Sequence, residues 1–121
     1  IPSFYEDLTV DENFNFLNNF YDINMKKTKN NLFNCESIKD KKIKNLSDGQ
    51  RKKIQLSFAI AINPNVFIFD EPFNFLDVES RNELSNYFTN LKNNNKTILF
   101  SDNSQVSHEF TISDMVNLDN V

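Results

Sequence analysis

A single glycine, Gly49, occurs in a chain of 121 residues. At the usual frequency of ~7% about eight would be expected. A phosphate-cradling loop of the form G-x-x-x-x-G-K-[ST] requires two glycines, and a dinucleotide fingerprint of the form G-x-G-x-x-G requires three. Neither exists within these residues. Any nucleotide contact that they make does not run through a glycine-rich loop of their own, and Gly49 becomes the residue to explain.

The length corresponds to one domain or less. Hydrophobic residues make up 39% and charged residues 25%, which is enough apolar mass for a packed core. Asparagine is over-used, and because it is scattered among periodic apolar residues, A/T-rich codon bias explains it better than a prion-like segment. The net charge of −4 argues against a nucleic-acid partner, which usually calls for a basic face. The run Lys39, Lys41, Lys42, Lys44 is interrupted by Asp40 and Ile43 and reads as a solvated loop. The lone Cys35 excludes an intramolecular disulfide and a cysteine-based zinc site, and fits a reducing compartment. Val66 to Phe69 is the longest strongly apolar run, far short of a membrane span. No signal peptide is visible. The expectation is a soluble chain whose membrane role, if any, runs through a partner.

Thr9 and Glu12 form a capping-box pattern before an apolar series at Phe14, Leu17, Phe20 and Tyr21, predicting a helix over 10–21. A second helix is expected at about 25–35, followed by the lysine-rich loop 39–45. Ser47 and Gln50 form a second capping box ahead of a helix carrying Ile54, Phe58, Ala61 and Ile62. Asn63-Pro64-Asn65 ends it. Val66 to Phe69 has the continuous apolar pattern of a strand buried on both faces. Another helix starts at about Asp77, with Leu84, Tyr87, Phe88 and Leu91 on one face, and turns at Asn93–Asn95. Thr97 to Phe100 reads as a second buried strand. A short helix at about 104–110 and a strand at about 115–118 complete the expectation. Alternation of helix and strand predicts an α/β fold with a largely parallel sheet, preceded by a helical segment.

Asp70 and Glu71 directly follow the apolar strand. In parallel sheets ligands gather at the carboxyl ends of strands. A carboxylate there can hold Mg²⁺ on a nucleotide phosphate, and its neighbour can polarise an attacking water. Taken alone, four apolar residues followed by two acidic ones more often simply end a strand. Ser47 to Gln50 places a helix N-terminus where free amides favour an anion, and Gly49 would permit close backbone approach. Taken alone, this is an ordinary cap, and Asp48 opposes an anion there.

Together these segments carry more weight. Leu46-Ser47-Asp48-Gly49-Gln50, a helix, Asn63-Pro64, then Val66-Phe67-Ile68-Phe69-Asp70-Glu71-Pro72 and Leu76-Asp77 form an ordered series. This series resembles the second half of the ATP-binding cassette (ABC) ATPase domain, with its signature L-S-G-G-Q, its Walker B motif and its D-loop. Thr97 to Ser101 is similar to the strand before the switch loop. Phe4 to Asn13 is similar to the stretch after the Q-loop. The resemblance covers about residues 2–121 and implies a partial P-loop NTPase fold of ABC type, with residues 1–45 as a helical subdomain and 46–121 as the signature helix and C-terminal part of the ATPase core.

The resemblance also implies roles. Ser47, Gly49 and Gln50 would close over the γ-phosphate of ATP held by a second cassette. Asp70 would help place Mg²⁺, Glu71 would be the catalytic carboxylate, and Asp77 would sit at the dimer interface. The implied cofactors are ATP and Mg²⁺. The implied partners are a second cassette and a transmembrane permease, placing the protein at the cytoplasmic face of the membrane. Two departures stand out. Asn103 occupies the position of the switch histidine; its amide donates a hydrogen bond but carries no positive charge, so hydrolysis is expected to be slower than in a histidine-bearing relative. The sole histidine, His108, falls in the helix expected at 104–110. Second, the P-loop, its lysine and the Q-loop glutamine would precede Ile1, so this chain alone is expected to be inactive. The alternatives are a degenerate, non-hydrolysing cassette serving as a binding or regulatory module, and a soluble ABC ATPase without a transporter.

Overall fold

The computed structural model describes residues 3–21 and 32–103. Helix α1 (Val10–Tyr21) begins where the sequence predicts. The Thr9 hydroxyl accepts from the Glu12 amide at 3.1 Å, and the Glu12 carboxylate accepts from the Thr9 amide at 2.8 Å, so two orphan donors of the first turn are satisfied reciprocally. Val10, Phe14 and Leu17 face inward, whereas Phe20 and Tyr21, expected on the same face, are exposed. Buried Asn13 accepts from the Tyr5 amide at 2.7 Å and donates to the carbonyls of Tyr5 and Thr9. A buried polar side chain needs such partners, and here they fold residues 5–9 back onto α1.

Of the helix expected at 25–35, residues 25–31 lie outside the described residues. Leu32–Ile38 is a 3₁₀ segment rather than the end of an α-helix. Phe33 and Asn34 have φ of 68° and 51°, a left-handed conformation that an α-helix of L-residues cannot absorb. Lys39 and Lys44 in the following loop are paired with Glu36 and Asp7 at 2.5 and 2.6 Å, in keeping with a solvated surface. Six described residues take a positive φ, none of them glycine; Asn34, Asn63 and Asn95 are three. Asparagine tolerates this region better than other side chains, so part of the asparagine excess stands in for missing glycine.

Helix α2 (Asp48–Ile62) buries Ile54, Leu56, Phe58 and Ile60 and ends on left-handed Asn63. Strand β1 (Val66–Phe69) pairs in parallel with β2 (Thr97–Phe100), with Val66 opposite Thr97 and Phe69 opposite Phe100. Helix α3 (Val78–Asn93) connects them, capped by Asp77, whose carboxylate accepts from the Ser80 amide at 2.8 Å. Phe58 anchors the core between α1 and α2, with Phe4 and Tyr21 edge-on and Phe14 tilted against it. Phe88 of α3 stacks on Phe69 at 5.4 Å and meets Phe73 edge-on.

The strands depart from expectation in one respect. They are not buried on both faces. Phe67 and Phe69 are buried, but Val66 and Ile68 are 54% and 72% exposed, and Leu99 of β2 is 62% exposed. Side chains alternate between faces of a strand, and α3 covers only the phenylalanine face. The helix expected at 104–110, His108 and the strand at 115–118 lie outside the described residues. Among the described residues, no helix is long and apolar enough to cross a membrane.

Candidate functional site

The first turn of α2 carries the Ser47–Gln50 group. Ser47 is in extended conformation, and its hydroxyl accepts from the Gln50 amide at 3.1 Å. The Gln50 side-chain oxygen accepts from the Ser47 amide at 3.1 Å. The capping box is therefore complete, and it orients Ser47 and Gln50 without help from elsewhere. Gly49 does not have a positive φ. What excludes a side chain is a neighbour: a Cβ on Gly49 would lie 2.8 Å from the Phe75 carbonyl oxygen. The close approach that the structure shows at Gly49 is thus made by the 71–77 turn of the same chain. Arg51, one residue after the box, grips Glu6 through two hydrogen bonds of 2.6 and 2.8 Å, which hold the Glu6 carboxyl below its ordinary range.

Asp70 and Glu71 leave the carboxyl end of β1. Asp70 is exposed and Glu71 half-buried. Glu71 has a φ of 44°, a strained conformation for a side-chain-bearing residue. Three residues hold it there. Its amide donates to Ser101 Oγ at 2.9 Å, its carbonyl accepts from Lys52 Nζ at 3.2 Å, and its carboxylate Oε2 accepts from Asn74 Nδ2. Asn74 also holds it through its amide, which donates to the Glu71 carbonyl at 3.2 Å. Ser101 Oγ in turn donates to Asp70 Oδ1 at 2.5 Å. Asp77 caps α3 and lies 3.5 Å from Lys53 Nζ. The hydrogen bonds at Ser80, with the nearby Lys53 charge, push the Asp77 carboxyl below its ordinary range. Asn103 is exposed, three residues beyond the end of β2.

The structure brings the first two turns of α2 and the 71–77 turn side by side, through Gly49 against Phe75, Lys52 to Glu71 and Lys53 to Asp77. Lys52, Asn74 and Ser101 were not singled out by sequence reasoning. The strand register, which the sequence does not carry, brings Ser101 there: with Phe69 opposite Phe100 in the parallel pair, the residues that follow, Asp70 and Ser101, meet through a hydrogen bond. Among the described residues, no group of three or more His, Cys, Asp or Glu side chains forms a metal cage. The Asp70 and Glu71 carboxylates and the Ser101 hydroxyl are nevertheless hard oxygen donors. They suit Mg²⁺, which keeps several waters and needs only one or two carboxylates alongside phosphate oxygens.

A family model described as ABC transporter matches residues 2–74, more than half of the chain. The chain belongs to this family. It is similar to the ABC transporter ATP-binding protein NatA of Bacillus subtilis, at 29% identity over 80% of this chain and 42% of the relative. It is also similar to the zinc import ATP-binding protein ZnuC of Rickettsia conorii, at 42% identity over 57% of this chain and 27% of that protein. Among solved structures, an ATP-binding subunit of an ABC transporter superposes with a TM-score of 0.71 at 25% identity, over 83% of this chain and 44% of that one. The expected ABC-type α/β fold is thereby shown. The chain spans under half the length of NatA and of this solved subunit.

Proposed function

We propose that this ABC family chain is part of an ATP-hydrolysing subunit that powers a membrane transporter. The observation that carries the reading is the Asp70–Glu71 pair, anchored at the carboxyl end of β1 beside the first two turns of α2. This is the strand end at which parallel α/β sheets bind phosphates. Bound MgATP would supply the phosphoryl group that passes to water. Asp70 would offer a carboxylate oxygen to the metal. Glu71, half-buried, its carboxylate held by Asn74 and its backbone by Ser101, orients the attacking water and accepts its proton. Ser47, Gly49 and Gln50 form a preorganised cap that closes over phosphate held by a second cassette. Asp77 lies at that interface, and Asn103 donates a neutral hydrogen bond in place of a histidine. Residues 1–45 form the helical subdomain that meets a transmembrane permease, which holds the protein at the cytoplasmic face of the membrane.

The decisive experiment compares ATP turnover of Glu71→Gln with the parent, in the full-length polypeptide that carries this sequence. A fall in kcat of about 10²- to 10⁴-fold is expected for removal of a general base, with ATP binding retained. Unchanged turnover overturns the role of Glu71. A parent that binds ATP without turnover favours the degenerate module, which the neutral Asn103 alone supports. Asn103→His is expected to raise turnover in the same assay; no gain, with folding intact, counts against a switch role for this position.

A further inference from the structure

The Ser101 hydroxyl has one hydrogen to give and can accept in return. Both capacities are used on the acidic pair. It donates to Asp70 Oδ1 at 2.5 Å and accepts from the Glu71 amide at 2.9 Å. Its own amide donates to the Phe69 carbonyl at 3.0 Å, so the residue is the last rung of the β1–β2 ladder. The Glu71 backbone sits in the left-handed region, with φ of 44°, where a non-glycine residue stays only if its surroundings impose it. Of the three groups that hold Glu71, Ser101 alone also binds Asp70.

We propose that Ser101 is a positioning residue for the reaction, latching Asp70 and Glu71 together at the end of β2. Through this one oxygen the strand that leads to Asn103 holds the Asp70 carboxylate and the backbone from which the Glu71 carboxylate projects. The inference rests on the proposed roles of Asp70 and Glu71. It predicts that the hydroxyl, not the volume of the side chain, is what matters.

The test uses Ser101→Ala, Ser101→Thr and Ser101→Val in the full-length polypeptide. Threonine keeps the hydroxyl, and valine has the shape of threonine without it. The first readout needs no nucleotide: the hydrogen-exchange rate of the Glu71 amide, followed by NMR. Alanine and valine are expected to speed exchange about tenfold, and threonine to restore protection. The second readout is steady-state ATP turnover. Alanine and valine are expected to lower kcat about tenfold with KM little changed, and threonine to recover it. Unaltered exchange in Ser101→Ala overturns the latch. Faster exchange with unchanged kcat, while Glu71→Gln abolishes turnover, overturns the positioning role and leaves the functional reading standing. Faster exchange with turnover insensitive to Glu71→Gln overturns the functional reading, and with it any part for Ser101 in catalysis.

Discussion

The two faces of the β1–β2 sheet differ sharply although both are apolar. One face presents Phe67, Phe69, Ile98 and Phe100; Phe88 and Phe73 pack on it. The opposite face presents Val66, Ile68 and Leu99 with Thr97, and its three apolar side chains are more than half exposed. An apolar run reads the same in sequence whether one face or both are covered. Only the packed face draws stability from this chain's own described elements. Burying a large apolar side chain is favourable in proportion to the area removed from water, and Ile68, 72% exposed, gains only a minor part of it here.

Substitutions can break this comparison or sharpen it. Phe69→Ala empties the packed face beside Phe88 and is expected to cost about 3–5 kcal/mol in urea unfolding; a cost under about 1 kcal/mol would mean that the face is loosely packed. Gly49→Ala probes the turn that follows β1 on its way to α3. The added methyl meets a backbone carbonyl at 2.8 Å, and overpacking of this kind costs about 1–3 kcal/mol. A neutral result would show the 71–77 turn free to retreat. Ser47→Ala lies off both faces and sets the scale of a local loss, about 1 kcal/mol for one N-cap; glycine at 47 should recover most of it. Ile68→Ser is expected to change stability by less than about 0.5 kcal/mol, as at an ordinary exposed site. If it costs as much as Phe69→Ala in the full-length polypeptide, a second layer covers the bare face there.

What could be read from sequence follows from the range of each interaction. The boxes at Thr9–Glu12 and Ser47–Gln50 and the cap at Asp77 close within three residues, so spacing alone reveals them. The two strands were legible from their apolar runs, and their parallel pairing from the intervening helix. Which face would be covered was not, because Val66 to Phe69 does not alternate in polarity. The left-handed turn at Phe33 and Asn34 was hidden because no glycine marks it. Around the candidate site, Asp70 and Glu71 were visible as the end of a strand. The groups that hold them were not, since Lys52 reaches Glu71 across 19 residues and Ser101 across 30. Gly49 was visible as an anomaly, but its steric reason lies at Phe75, on a different turn.

That contact has a mechanical consequence. The first turn of α2 and the 71–77 turn mesh like adjacent gear teeth, with a hydrogen where any other residue would carry a carbon. The Ser47–Gln50 cap and the carboxylate turn therefore touch directly, without the hydrophobic core between them.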